Sequence, residues 1–282
     1  MSPTAVAVLG SGRVGLTLAR ALVHSGHHAR LLVRTARRSV DGLPSPETDW
    51  ADALRTCDCV IIAVPDDAIA EVATLLAQGD GLTGQQVVLH TSGLHGSEVL
   101  SSLSSSGAAL GSFHPLQAFP AGGSDASLLS GIPAVVEGDP RAVEAGKWLA
   151  GLLGMEPVLE LSATGKRRYH AAAVVASNYL VVLADMAQRL AREAGAGDAS
   201  STLFGPIMRQ VLADVAQLGP TAALTGPVRR GDAGTVAAHL EVLRGDDRAA
   251  YVALGREALL LARRAGLASD AAAAVERLFD AV

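Results

Sequence analysis

The stretch Val6-Ala7-Val8-Leu9-Gly10-Ser11-Gly12-Arg13-Val14-Gly15 decides the fold. An apolar, β-rich run passes directly into G-x-G-x-x-G, and residues 14–25 then have a helical pattern that stops at Gly26. The glycine pattern alone is weak; between a first strand and a first helix it describes a strand–turn–helix that seats a pyrophosphate. Gly10 makes the tight turn, Gly12 lets the backbone approach the phosphates, and Gly15 lets helix and strand pack closely. The free amides and positive dipole end of the helix complete the cradle, so Gly10, Ser11, Gly12, Arg13, Val14 and Gly15 are expected at a dinucleotide.

Outward from this motif, the apolar runs 29–33, 60–64, 86–90, 109–113 and 133–137 join 5–9 as expected strands. Most are continuous runs of about five residues, as in parallel strands buried on both faces. Helical stretches such as 68–77 separate them, and residues 41–52, with two prolines, read as a loop. Residues 101–106 read as a helix end plus turn. The expectation is an α/β fold: an N-terminal doubly wound, mostly parallel Rossmann sheet over residues 1–162. After about residue 161 the strand-like runs end and Ala/Leu/Val segments follow (166–194, 201–218, 235–244, 246–265, 270–281), with Gly195, Gly219, Gly245 and Gly266 expected to close helices. Residues 163–282 are therefore expected to form an all-α C-terminal domain.

Composition agrees with a chain of about two domains. Of 282 residues, 49% are hydrophobic and 18% charged, the net charge is −5, and only nine carry Phe, Tyr or Trp rings. Mild acidity and few rings argue against nucleic-acid binding. No uninterrupted apolar span or signal-peptide pattern is visible, which argues against a membrane partner. Cys57 and Cys59 would point to opposite faces of a strand, a poor geometry for a disulfide or a shared metal. The expectation is a reduced, cytoplasmic protein, and the scarcity of rings points toward a small polar substrate.

The end of the second strand selects the dinucleotide. An acid about 20 residues past the glycines suits the ribose of NAD. Here Arg34-Thr35-Ala36-Arg37-Arg38 follows Val33, and no acid occurs from His27 to Arg38. Guanidinium groups grip a 2′-phosphate bidentately, so NADP(H) is expected at Arg34, Thr35, Arg37 and Arg38. A solvated basic loop is the alternative reading. Ala63-Val64-Pro65, at the end of the third strand, is expected near the nicotinamide-side ribose.

The fingerprint, the Ala63-Val64-Pro65-Asp66 strand end and the helical second half resemble the 6-phosphogluconate-dehydrogenase-like superfamily, which includes ketopantoate reductase, pyrroline-5-carboxylate reductase and prephenate dehydrogenase. More closely, His90-Thr91-Ser92-Gly93, Gly111-Ser112-Phe113-His114-Pro115-Leu116, Tyr169-His170-Ala171-Ala172 with Ser177-Asn178-Tyr179, and Leu224-Thr225-Gly226-Pro227 resemble the Rossmann-like/DUF2520 proteins. The resemblance implies an NADP(H)-dependent oxidoreductase but supplies no substrate. The Ala-rich helices offer smooth faces, so a homodimer through the helical domain is expected, and the resemblance to pyrroline-5-carboxylate reductase supports it by analogy.

His114-Pro115 resembles the His-Pro of prephenate dehydrogenases, which makes His114 the first choice for proton transfer; the alternative is a strand-end cap. Thr91 and Ser92 read equally as substrate-orienting hydroxyls and as ordinary turn chemistry. His90, His95 and His114 are a remote zinc set, and no metal is expected. On a continuous helix Lys166, His170 and Ser177 would share a face with Asn178 near it, directed at an interdomain cleft. The resemblance places a lysine and an asparagine on this helix; aligning on Asn178 puts His170 at the lysine position, leaving Lys166 one turn earlier. Arg229 and Arg230 read either as a carboxylate clamp or as a surface or dimer contact. The resulting expectation is hydride exchange between NADP(H) and a small carbonyl, imine or alcohol. The rivals are a non-catalytic NADP(H) sensor and an F420-linked NADP oxidoreductase.

Overall fold

In the computed structural model, which describes residues 3–35, 39, 41–119 and 125–281, the apolar runs of the first half become strands. β1 (Ala5–Leu9) leads into α1 (Arg13–His24), β2 (His28–Leu32), α2 (Trp50–Arg55), β3 (Cys59–Ile62), α3 (Ile69–Gln78) and β4 (Val87–His90). β5 (Ala109–Pro115), β6 (Ala134–Gly138), α4 (Pro140–Leu152) and β7 (Val158–Glu160) follow. Among the described residues these strands make one sheet in the order β2-β1-β3-β4-β5-β6-β7. Every neighbouring pair is parallel except β5 with β6.

Alternation along the strands feeds two apolar layers. Val6, Val8, Ile61 and Leu89 face one layer with Leu18, Leu22 and Phe113, whereas Ala7, Leu9, Val60 and Val88 face the other with Ile69 and Leu76. Every residue of β3 and β4 is buried, which is why these strands read as unbroken apolar runs. The chain leaves β1 to one side for β2 and returns to the other for β3. A crevice opens at such a switch point, beyond the carboxyl ends of the strands.

Several local readings change. β7 had no counterpart in the sequence reading, because three residues at a sheet edge, only partly buried, carry no apolar run. Residues 41–52 are largely loop, with Glu47 bridging to Leu32 and Trp50 opening α2. The Ser-rich stretch is longer than expected, a 3₁₀ helix over Ser97–Ser106. Both cysteines are buried and free.

Compact packing divides the chain into residues 1–178 and 179–282, so α5 (Ala163–Ala176) groups with the sheet although the sequence pattern shifts at 162/163. The continuous helix expected over 166–194 is interrupted. α6 (Asn178–Glu193) is separated from α5 by Ser177, at φ −122° and ψ −67°. Ser177 Oγ donates to the Ala173 carbonyl at 2.7 Å, the back-bonding by which serine bends helices.

The second unit continues with α7 (Ser200–Leu203), α8 (Gly205–Leu218), α9 (Pro220–Ala223), α10 (Gly226–Arg230), α11 (Ala233–Val242), α12 (Gly245–Arg264) and α13 (Ser269–Asp280). Its core gathers Val236, Leu240, Leu259, Val275 and Phe279. Gly255 makes room for the Phe279 ring, which a Cβ would overlap. Gly195, Gly219 and Gly266 follow helices as expected, but Gly245 opens α12 instead of closing α11.

Candidate active site

The dinucleotide motif forms a cradle at the switch point. A cavity of about 560 Å³ is lined by Gly10, Ser11 and Gly12 from the β1–α1 turn, Arg34 and Thr35 beyond β2, and Ala63, Val64 and Pro65 beyond β3. Gly10 sits at φ +121°, and a Cβ there would overlap the Ala63 carbonyl. A Cβ on Gly15 would overlap the Gly10 carbonyl, whereas one on Gly12 would meet nothing within 4 Å. The turn is thus fixed by contact with β3 on one side and open on the other. α1 begins without a side-chain cap and without an acid in its first turn, so its first amides keep their capacity for an anion.

The individual cofactor residues divide. Val14 packs against the core behind the turn. Arg13 donates to the Phe119 carbonyl at 2.7 Å, an engagement that holds a loop. Arg30, also in the basic run, pairs with Glu47 and Asp52 away from the cavity lining. Arg34 stands at the cavity and pairs with Glu71 at 2.9 Å. Arg37 and Arg38 lie outside the described residues.

A second constellation joins the loop after β4, the end of β5 and α5. His114 Nδ1 lies 3.3 Å from Tyr169 Oη, with the rings edge to face at 5.8 Å. His170 lies 6.3 Å from His114, ring centre to ring centre, and its Nδ1 is buried without a hydrogen-bond partner. Gly93 is the hinge of the arrangement: a Cβ built on it would lie 2.7 Å from His170 Nδ1 and 2.8 Å from His114 Nε2. Both nitrogens therefore pack close against Gly93, where any side chain would overlap them. Burial, then Lys166 and His170, push the His114 pKa down to about 4, so its imidazole is neutral at pH 7. Burial raises Tyr169 to about 12 and keeps its phenol protonated.

Behind these rings runs a saturated polar network. Lys166, wholly buried, donates to the Ser92 carbonyl at 2.9 Å and to Ser112 Oγ at 2.6 Å. Ser112 donates to Glu137 at 3.2 Å, and Glu137 also accepts from the amide and hydroxyl of Ser97. Burial lowers the Lys166 pKa to about 8, against the pull of Glu137, Glu98 and Asp66. Ser92 Oγ donates to Asp66 at 2.8 Å and accepts from the amides of Leu94 and His95. Its hydrogen-bonding capacity is filled, and Ser92 builds the turn. Thr91 stays partly exposed, its hydroxyl only 3.5 Å from the Ile62 carbonyl. His90 accepts from the Ser92 amide at Nδ1 and donates from Nε2 to Gly96 O, and burial drives its pKa to about 3.

Two sequence expectations differ at α5 and α6. Asn178 is exposed and accepts from Ser177 Oγ at 3.0 Å, so it is not a buried amide among valines. The break at Ser177 also removes the continuous face that was to align Ser177 and Asn178 with His170. Tyr169 was overlooked. Lys166, Tyr169 and His170 stand at i, i+3 and i+4 on α5 and share a face, and that spacing was the available signal. In the second unit Arg229 donates to the Ala265 carbonyl at 3.0 Å, which ties α10 to the end of α12. Among the described residues no group of three or more potential ligands could hold a metal.

Comparison with known proteins adds the following. A family model described as a Rossmann-like domain matches residues 2–115, and one described as a domain of unknown function, DUF2520, matches residues 132–258. Among solved structures, protein TM1727 from Thermotoga maritima is 24% identical at TM-score 0.72, over 92% of this chain and 98% of that one. A provisionally named NADP oxidoreductase, BF3122 from Bacteroides fragilis, is 23% identical at TM-score 0.69, over 93% of this chain and 97% of that one. A reductive aminase from Aspergillus terreus, in complex with NADPH and ethyl-5-oxohexanoate, is 16% identical at TM-score 0.62, over 100% of this chain and 93% of that one. At these identities the likeness is one of fold. The search of curated proteins gave no match.

Proposed function

From a chain that carries a Rossmann-like domain followed by a DUF2520 domain, we propose an oxidoreductase that uses NADP(H) and acts on a small polar carbonyl, imine or alcohol. One observation carries the cofactor. The uncapped N-terminus of α1 lies under an open glycine turn, and an arginine, not a carboxylate, follows the second strand at the same cavity. The NADPH complex of the reductive aminase and the name of BF3122 support the same cofactor class. The Gly10–Gly12 backbone and the first amides of α1 would hold the pyrophosphate, and Arg34 the 2′-phosphate. When bound, NADP(H) supplies or takes up the hydride.

The protein's own part is the proton. Reduction of a C=O or C=N group leaves a heteroatom that needs one proton, and His114 supplies it from Nε2. Being neutral at pH 7, His114 gives up its Nε2 proton as Tyr169 Oη passes its own to Nδ1, so the ring ends neutral and solvent reprotonates the phenolate. Tyr169 at Nδ1 steadies the ring. His170, whose ring centre lies 6.3 Å from that of His114, completes the polar cluster beside it. Lys166 positions the loop after β4 through the Ser92 carbonyl, and Thr91 keeps a hydroxyl for the substrate.

Calorimetric titration with NADPH and NADH tests the cofactor. NADPH should bind tighter by about 10- to 100-fold, the worth of a hydrogen-bonded charge pair, and Arg34→Ala should remove most of that margin. Tighter binding of NADH by the wild type would overturn the reading. Turnover is then sought by nicotinamide absorbance with keto acids, aldehydes and cyclic imines; tight NADPH binding with no turnover would identify a sensor.

A further inference from the structure

The ion pair between Arg34 and Glu71 stands where the cofactor's adenosine end is selected, and nothing in the dinucleotide motif accounts for Glu71. Arg34 lines the crevice beyond β2. Glu71 lies in the first turn of α3, between Ala68 and Val72, which both line the same cavity. Its carboxylate meets the guanidinium at 2.9 Å, and both side chains are more than half exposed, at 56% for Arg34 and 60% for Glu71. A carboxylate thus reaches the second-strand rim from a neighbouring helix, although the strand itself presents none there.

We propose that Glu71 is a specificity-determining residue that narrows the preference for NADP(H) over NAD(H) by competing for Arg34. The inference rests on the cofactor reading above. A 2′-phosphate carries close to two negative charges at neutral pH and needs the same guanidinium fork. To take it, the phosphate must displace the Glu71 carboxylate or share the fork beside a like charge. A 2′-hydroxyl faces no such repulsion and can donate to the carboxylate, the role an acid at the end of the second strand performs in NAD sites. Because the pair is solvent-exposed, the effect is modest and sensitive to salt.

The test is a cycle of wild type, Glu71→Gln, Arg34→Ala and the double variant, titrated calorimetrically with NADPH and NADH at low and high salt. Glu71→Gln should tighten NADPH binding about two- to fivefold, the range of an exposed charge interaction, and leave NADH unchanged or weaker. The gain should shrink at high salt and should largely vanish on the Arg34→Ala background. Unchanged or weaker NADPH binding by Glu71→Gln overturns the proposal, as does a full gain without Arg34. If instead the wild type shows no preference for NADPH, or Arg34→Ala does not reduce it, the cofactor reading itself has failed. The arginine variant therefore separates the two failures.

Discussion

His90 and His114 stand one strand apart and show how position alone assigns a histidine its work. His90 spends both ring nitrogens on backbone groups of its own loop, whereas His114 uses one on Tyr169 and turns the other toward Gly93. Only the His-Pro resemblance set His114 apart in the sequence; the partners that fill or spare each nitrogen come from other parts of the chain and were not legible. For His114→Gln we expect kcat/KM on a responsive substrate to fall by about 10²- to 10⁴-fold, the usual span for a lost proton donor, with NADPH affinity kept. His170→Gln should give a smaller loss. Unaltered kcat/KM in both variants would remove the pair from the mechanism. A pH effect belongs to the same scale. The folded-state pKa values of His90 and His114 lie below the ordinary 6.5, so between 6.5 and about 4 the unfolded chain binds protons that the folded chain refuses. Stability must then rise with pH through that window and decline as pH falls below 6.5. Urea unfolding at pH 7, 5.5 and 4.5 (about half a unit above the folded His114 value) should show this decline, and His90→Gln should make it shallower. An equally steep decline in that variant would place the proton uptake elsewhere.

At the scale of elements, β1 and α1 were legible because their determinants are local: an apolar run, three glycines and a helical repeat. The structure adds why the third glycine is needed, since a Cβ on Gly15 would drive into the Gly10 carbonyl, backbone against backbone. Gly15→Ala should therefore cost about 1–3 kcal/mol or more, as overpacking does where neither side can yield, and should weaken NADPH binding by shifting the turn. A stable Gly15→Ala protein with normal NADPH affinity would contradict the geometry of the cradle. β7 and the α5–α6 break were not legible for opposite reasons. β7 is held by its pairing with β6, and three partly exposed residues leave no pattern. The break at Ser177 falls in a stretch, residues 167–194, without Gly or Pro, the residues that normally announce an interruption. Its consequence reached the site reading, because Asn178 was aligned with His170 on the assumption of one helix. Lys166 shows the converse. In the sequence Lys166, beside two arginines, reads equally as a site residue and as part of a solvated helix start; Ser92 O and Ser112 Oγ hold its ammonium wholly inside, while Arg167 stays at the surface.

For the whole molecule, the feature that calls for a partner is the set of large apolar side chains exposed on the helices. Val181 and Val182 on α6 are 68% and 60% exposed, and Ile207 on α8 is 61% exposed. Residues 163–193 reach a mean hydropathy of 1.4 over an 18-residue window in which no residue is buried. By length and composition that span could cross a bilayer, but its first turn is committed elsewhere. Lys166 lies buried against Ser92 and Ser112, and Arg189 further along is paired with Asp247. Exposed apolar helix positions interleaved with fixed charges are the signature of a protein interface. We propose that a second copy of the chain covers them, consistent with the helical-domain dimer expected from sequence. Light scattering coupled to size exclusion should give twice the 28.7 kDa chain mass. Val181→Glu and Ile207→Glu, each placing an unpaired charge in the contact, should shift the protein toward monomer while leaving NADPH binding to the sheet domain intact. A wild-type monomer at micromolar concentration, or flotation with lipid vesicles, would refute the dimer. The substitutions lie in the helical unit, so a far-ultraviolet circular dichroism spectrum unchanged from wild type separates lost assembly from lost folding.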